Sequence, residues 1–563
     1  MSTSLLPFVS LAVLLGLYLV YKCVAPTSIS DIPGPKPDSF WLGNVGKLYR
    51  SLIGDVDFVW QDQFGGIARI KGPIGQDVLW ISDPKALQFI HQTAGYNFPK
   101  PSERQAIIRL STDHGLASVD GEIHKRQRKV MLPAFGTPET KALLPIFSKC
   151  AQSITAKWKD QLFDTSDQTN VYNIPSWLSS ATLDAIGEAA FDHQFNSLDN
   201  QEDEFIKGYQ NMFIETFGGL SESKVFFLGV SRFIPLPLLE MFYAHVPGLG
   251  LDPTIKNRKL AHKFAKEMIA SKSEAIDVGN GRHDVMSILL TANKAHNTKT
   301  GLTDYEMLSQ MRTILIAGHE TTSNSLSWGL YELARNPEIQ QRLRKEIHDA
   351  EAGLKARGRS HFTVSDLEAM PFNQACVKEM LRLHPVVPHT FRIAGKNIAV
   401  PLSKPITTLS GKVTQEVFIP KGTRITVAIA AYNRDKSLFG EDAHEFNPAR
   451  WLNMSEKRDT SVGVYSNLLT FSAGVRACIG WRFAVFEMQL FLIELISNFE
   501  FSWTEETKKP ATLLRPKFDQ NFIAFAFHKA AGICRADLLR ALPKIVETSN
   551  LNSSVIIIQL TPS

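Results

Sequence analysis

LTDYEMLSQMRTILIAGHETTSNSLSWGLYELARNP, residues 302–337, is the stretch that most restricts the fold. Thr303 or Asp304 stands where an N-cap belongs, and Asn336-Pro337 supplies a stop. Between Ile314 and Leu330 the segment is apolar nearly all round. A helix with no polar face must be enclosed by other elements, so this one predicts a large body built around a central helix. The chain has 563 residues, and no tandem repeat, low-complexity tract or Ser/Gly-rich linker interrupts it between Asp31 and Phe525. That predicts one large domain rather than several small ones.

The neighbouring segments are mostly helical. PEIQQRLRKEIHDAE has proline in its first turn and charges facing water. FNQACVKEMLRLHP is ended by Pro385, and WRFAVFEMQLFLIELISNF, Trp481 to Phe499, is apolar at helical spacing. Between Ile398 and Ala430 the pattern turns to β. There VFIPKGTRITVAIAAYN, with its β-branched residues and Pro-Lys-Gly-Thr turn, reads as a hairpin. The fold class is mainly α with smaller β-sheets.

FSAGVRACIG, Phe471 to Gly480, places Cys478 in a glycine-punctuated loop that feeds the N-terminus of the Trp481 helix. The five cysteines, Cys23, Cys150, Cys376, Cys478 and Cys534, are scattered and form no C-x-x-C pair. That argues against a zinc knuckle or ferredoxin-type cluster and suits a reducing compartment. A helix N-terminus offers free N–H groups and partial positive charge, and Arg476 adds a full charge. Both are expected to lower the thiol pKa. Gly474 and Gly480 allow a tight turn and close approach to a flat partner.

The N-terminus differs in character. LLPFVSLAVLLGLYLVY, Leu5 to Tyr21, is an uncharged apolar run of membrane-spanning length. A cleaved signal peptide and a buried core helix are the rival readings. No basic residue precedes the run, CVAPTS is a poor cleavage site, and the run sits at the extreme terminus. Lys22 and Lys36 follow it, which places the body in the cytoplasm. Pro33-Gly34-Pro35 and Pro37 then break any helix, either to set the angle of the body to the membrane or as a plain linker. The net charge of +5 is mild for this length and does not suggest a nucleic-acid binder.

The loop FSAGVRACIG resembles the haem-binding signature F-x-x-G-x-R-x-C-x-G of the cytochrome P450 family, complete at Phe471, Gly474, Arg476, Cys478 and Gly480. Three further stretches match in the expected order. AGHETT, Ala317 to Thr322, is similar to the oxygen-binding motif of the family's central helix. KEMLRLHP carries the E-x-x-R pair as Glu379 and Arg382. FNPARW carries Phe446, Pro448, Arg450 and Trp451. The resemblance extends from the anchor to about Pro516. It implies the cytochrome P450 fold behind an N-terminal transmembrane helix, with an anchor over residues 1–30 and a catalytic domain over 31–525. An atypical tail, partly helical by pattern, follows over 526–563 in place of the usual pocket-lining β-hairpin.

The resemblance implies roles for single residues. Cys478 would be the axial thiolate on haem iron. Thr321 would hold water or hydroperoxide over the haem, and Glu320 would relay protons. A hydroxyl and a carboxylate in an apolar helix are costly without such use or a partner. Thr321 could instead bond the carbonyl four residues back and bend the helix, and Gly318 loosens the same turn. His319 is a packing or pocket-wall residue. Glu379, Arg382 and Arg450 would brace the haem side structurally. Arg128, with His124 one turn earlier where tryptophan is common, would meet the haem propionates, as would Arg392 and Arg476. Lys125, Arg126 and Lys129 point elsewhere, either as a docking face for an acidic reductase or as a solvated basic face. Pocket walls are expected from Ser102–Ser118, Phe205–Phe242, Ile314–Ala317 and Val386–Thr390.

The implied protein is an endoplasmic-reticulum monooxygenase with a single membrane span. It would take electrons from NADPH through a separate cytochrome P450 reductase and act on an apolar small molecule, a terpenoid or other secondary metabolite. Its partners would be that reductase, the substrate and membrane lipid, and its only cofactor haem. A haem-thiolate isomerase or dehydratase is one alternative, although such enzymes often lack the acid–alcohol pair. A non-catalytic membrane haem-binding protein is the other, and the odd tail keeps it open.

Overall fold

The computed structural model describes residues 28–51, 53–163, 169–200, 203–209, 221–245, 252–277, 284–294, 300–453, 460–502 and 555–560. The anchor run Leu5–Tyr21 and most of the 526–563 tail lie outside these residues. Among the described residues, no helix is long and apolar enough to cross a membrane.

Ten helices carry the functional argument. They are α1 (Ser102–Thr112), α2 (Gly121–Met131), α3 (Leu144–Phe163), α4 (Ile174–Phe191) and α5 (Leu236–His245), then α6 (Asp252–Asp277), α7 (Asp304–Arg335), α8 (Pro337–Ala356), α9 (Pro371–Leu383) and α10 (Trp481–Asn498). The central helix is α7. It runs unbroken for 32 residues and starts in a capping box, with the Thr303 side chain on the Glu306 N–H and Glu306 on the Thr303 N–H. Helices α1, α4, α6, α9 and α10 surround it, and most of its side chains are buried. Gly318 lets α4 approach. A Cβ there would stand 2.6 Å from the Ile186 side chain, so the glycine serves packing rather than a loosened turn. Helix α10 is not wholly apolar. Glu487 is buried within it, and burial pushes its carboxyl well above the usual range while the Thr322 hydroxyl on α7 opposes the shift.

Among the described residues, nine strands form three sheets. They are β1 (Ile67–Lys71), β2 (Asp77–Ile81), β3 (Thr169–Asn173), β4 (His389–Ile393), β5 (Ile398–Thr407), β6 (Val413–Ile419), β7 (Arg424–Ala428), β8 (Phe499–Ser502) and β9 (Val555–Leu560). The sheet orders are β1-β2-β7-β4, β3-β9-β8 and β5-β6. The expected hairpin across Pro420-Lys421-Gly422-Thr423 does not form. β6 pairs back onto β5, whereas β7 runs parallel to β2 and antiparallel to β4. The turn therefore passes the chain from one sheet to another. β7 places Ile425 and Val427 in the core beneath β2, a gain that a two-stranded ribbon could not supply.

The Pro-Gly-Pro segment is docked, not a free linker. The Pro33 carbonyl accepts the Arg69 N–H at 3.0 Å, and a Cβ on Gly34 would overlap the Arg69 carbonyl.

Candidate haem and oxygen site

One large cavity of ≈ 560 Å³ lies between α1, α2, α7, β4 and the Cys478 loop. Its lining is mostly apolar and includes Cys478, Thr321 and a group of cations.

The Cys478 loop is fixed by its own backbone. The Cys478 N–H donates to the Phe471 carbonyl at 2.8 Å. Phe471 itself packs edge-on against Tyr465. Gly474 has φ +59°, and a Cβ there would overlap the His91 carbonyl, so only glycine fits. Gly480 differs, because its nearest protein atom would be a Phe135 ring carbon 3.8 Å from an added Cβ. Gly480 lines the cavity, as does Cys478, whose side chain is exposed to it.

The expected low thiol pKa is corrected by this enclosure. Burial pushes the Cys478 thiol up, and the Gly480 N–H and the Arg128 guanidinium only partly offset it. Arg128, not Arg476, is the cation beside the sulfur, and it donates to the Ala477 carbonyl at 2.8 Å.

Arg476 instead forms an ion pair with Asp120. Lys100, Arg128, Arg392 and Arg476 all line the cavity. Among the described residues, the carboxylate paired within this group is Asp120, bonded by the Lys100 N–H and 3.7 Å from its Nζ. The crowding is visible in the titration of its members. Burial, followed by Arg476, pulls Arg392 down to about 10. Burial brings Lys100 to about 7, against the pull of Asp120. Burial and the same cations hold His91 and His124 at about 3, so both rings are neutral at pH 7. His124 Nδ1 stands 3.0 Å from the Tyr96 hydroxyl. An excess of cations in a cavity whose floor is a thiol fits a flat group that carries two carboxylates and a thiolate-binding metal.

On α7, the Thr321 hydroxyl donates to the Ala317 carbonyl at 2.7 Å and lines the cavity. Glu320 does not line it. It is buried behind Thr321, with Oε1 4.0 Å from His319 Nε2. The rings and carbonyls around it explain how this segment is held. His319 contacts the Leu315 and Tyr209 carbonyls at 2.7 and 3.1 Å, and Thr182 of α4 donates to the His319 carbonyl at 3.1 Å. His319 is thus a packing residue that ties α7 to the short helix Glu204–Tyr209.

Behind the loop, Glu379 and Arg382 share one face of α9 and meet Arg450. Glu379 takes Arg382 at 2.8 and 2.9 Å, Arg450 at 3.0 Å, the Trp451 indole at 2.8 Å and the Asn447 N–H at 2.9 Å. Arg382 also donates to the Asn433, Ala443 and Glu445 carbonyls. The cluster staples α9 to the irregular segment that leads to Cys478.

A comparison with protein families decides the assignment: the cytochrome P450 family model matches residues 33–521. The chain belongs to the cytochrome P450 family. Among its relatives is cytochrome P450 monooxygenase 205 of Postia placenta, 31% identical over 516 residues that cover 88% of this chain and 90% of that protein. Cytochrome P450 monooxygenase claW of Ampulloclitocybe clavipes is 28% identical over 499 residues, 86% of this chain and 88% of that one. This cytochrome P450 is therefore an oxidoreductase of the monooxygenase kind, and haem is its cofactor.

The cytochrome P450 site also contains residues that sequence reasoning missed. Lys100, Asp120, Tyr96 and His91 come from the short turns and connections before α2 and carry no motif of their own. Asp120 holds the N-cap place before α2 yet makes no cap hydrogen bond, because Lys100, Gln105 and Arg476 claim its carboxylate. Two expectations are corrected. Arg126 is not part of a free basic face, since it forms a bidentate pair with Glu306 at 2.6 and 2.9 Å, and Lys125 pairs with Glu122 at 2.5 Å. The described residues of Phe205–Phe242 do not line the cavity; residues 210–220 lie outside the described set.

Proposed function

We propose that this cytochrome P450 inserts one oxygen atom of dioxygen into an apolar small molecule, a terpenoid or another secondary metabolite. NADPH supplies the electrons through a separate reductase, and the 1–30 segment anchors the 31–525 domain to the endoplasmic reticulum membrane. The observation that carries this reading is a single apolar cavity shared by the Cys478 thiol and the Thr321 hydroxyl.

When bound, haem would supply the oxygen-activating chemistry, and the Cys478 sulfur would hold its iron. Phe471, Gly474 and Gly480 shape the loop that presents the sulfur. Arg128, Arg392, Arg476 and His124, joined by Lys100, would hold the two propionates. Arg128 also lies beside the sulfur and favours its charged form. Ile314, Ala317, Val386 and Val387 exclude water from the reacting face. Thr321 would exchange its bond to the Ala317 carbonyl for one to a water in the cavity, and Glu320, buried behind it, would deliver protons to that hydroxyl from within α7.

The test is reconstitution of the purified full chain with haem and an NADPH-dependent reductase. The reduced carbon monoxide complex should show the strongly red-shifted Soret band of thiolate ligation, and Cys478→Ser should lose it. NADPH should then drive oxygen use and an oxygenated product. A histidine-type band in the wild-type protein refutes the reading.

A further inference from the structure

The cavity holds one cation that the haem-facing group does not use. Arg104 lies on α1, four residues past Lys100, and lines the cavity together with Ile107, Ile108 and Ser111. Those spacings of three, four and seven put all four side chains on one helix face. The wall therefore begins at a charge and continues as apolar surface for about 10 Å along the helix.

The surroundings of Arg104 differ from those of Arg392 and Arg476. Its guanidinium stacks over the Phe391 ring, 3.9 Å from the centroid, and donates to the Tyr49 hydroxyl. That is the one hydrogen bond it makes among the described residues, although a guanidinium has five N–H donors. The adjacent carboxylate cannot serve it, because Glu103 is taken in bidentate fashion by Arg424. No described carboxylate pairs with Arg104. Burial and the nearby Arg424 cation hold its pKa down to about 9. Arg104 is half-buried and faces the cavity without a carboxylate partner among the described residues, so its charge is most readily compensated by an anion that enters the cavity.

We propose that Arg104 is a subsite for the carboxylate of an apolar acid, so that the substrate is an amphiphile with one carboxyl head and a hydrocarbon body. The inference rests on the monooxygenase reading and names its substrate class. Phe391 fixes the guanidinium plane, which presents its remaining N–H groups as a fork matched to two carboxylate oxygens. One cation neutralises one charge. A phosphate or sulfate dianion would leave a charge unpaired in an apolar cavity. The hydrocarbon then lies along Ile107 and Ile108 toward the α7 wall that carries Thr321.

The experiment uses the haem-loaded full chain and reads the Soret shift on titration. The probes are straight-chain alkanoic acids from octanoic to hexadecanoic and the 1-alkanols of the same lengths. The best acid should bind about 10- to 100-fold more tightly than its alcohol, the range expected for a charged hydrogen-bonded pair. Arg104→Gln should remove that preference, and Arg104→Lys should keep part of it. Equal binding of acids and alcohols by the wild-type protein overturns the proposal, as does an acid preference that survives in Arg104→Gln. If Arg104→Gln does not retain haem, the wild-type comparison and Arg104→Lys decide: an undiminished preference in the lysine variant counts against a bidentate fork. The carbon monoxide band separates the two readings. Its absence in the wild-type protein sinks the haem-thiolate assignment, whereas an intact band with no acid preference sinks the Arg104 subsite alone.

Discussion

The two glycines that flank Arg476 and Cys478 look equivalent in the motif and are not equivalent in the fold. Gly474 is held at positive φ against a backbone carbonyl, so Gly474→Ala must strain or move the His91 segment whether or not haem is bound. A cost of about 2–4 kcal/mol is expected, read as a lowered melting temperature of the apoprotein. Gly480→Ala meets no protein atom closer than 3.8 Å and should leave apoprotein stability within about 0.5 kcal/mol. Because Gly480 faces the cavity, its variant should lower haem occupancy, measured as haem per chain. Equal melting losses for the two variants would show that the distinction is false. Thr321→Ala belongs to the same scale. Its hydroxyl satisfies only a carbonyl already held by the helix, so folding and the carbon monoxide band should persist. Product formed per NADPH should fall on the order of 10²-fold while oxygen use continues.

Among the elements, the pairing of α2 with the start of α7 carries the clearest pH dependence. Burial raises the Glu306 carboxyl, but the hydrogen bonds from Arg126, the Thr303 N–H and Gln127 outweigh it and bring the pKa to about 2. A folded pKa below the unfolded value means that the contribution is complete above about pH 4.3, where the unfolded carboxyl is ionised. It is lost as pH falls toward 2. Urea unfolding across that window should show wild-type stability dropping more steeply than that of Glu306→Gln, which is already weaker at pH 7. Parallel curves would mean that the pair contributes nothing. This pairing was not legible in the basic run Lys125–Lys129, where Arg126 looked like a surface charge. Periodicity identifies which face of α2 is wet, but the partner lies 180 residues on, and only the fold supplies it. Helices α7, α9 and α10 were legible because their signals are local: an N-cap residue, a proline stop, an apolar run. The Pro420–Thr423 turn failed for the same reason. Its local chemistry is that of a hairpin, while β7 is recruited by β2, far away in sequence.

For the whole molecule, the question is what the end of the chain does. The 526–563 tail is expected as an atypical, partly helical extension, yet β9 within it is the middle strand of its sheet. It pairs antiparallel with β3 through five residue pairs and with β8 through four. β3 leads directly into α4, which packs on the central helix, and β8 leaves α10, whose N-terminus follows the Cys478 loop. The strand therefore closes a circuit between the two helices that flank α7. Trp158 of α3, fully buried, packs its ring against Tyr172 of β3 and against Phe499 and Phe501 of β8, so both outer strands share one aromatic core. Removing β9 exposes two strand edges and strips both of their ladder partners. At about 1 kcal/mol per ladder bond, truncation after residue 554 should cost on the order of 5 kcal/mol, a large share of any domain's stability. The truncated chain should express with little haem and unfold at a markedly lower temperature. Substitution of the three Ser563-proximal residues 561–563, beyond the strand, should do neither. If the truncated chain retains haem and melting temperature, β9 is an ornament on a sheet that closes without it.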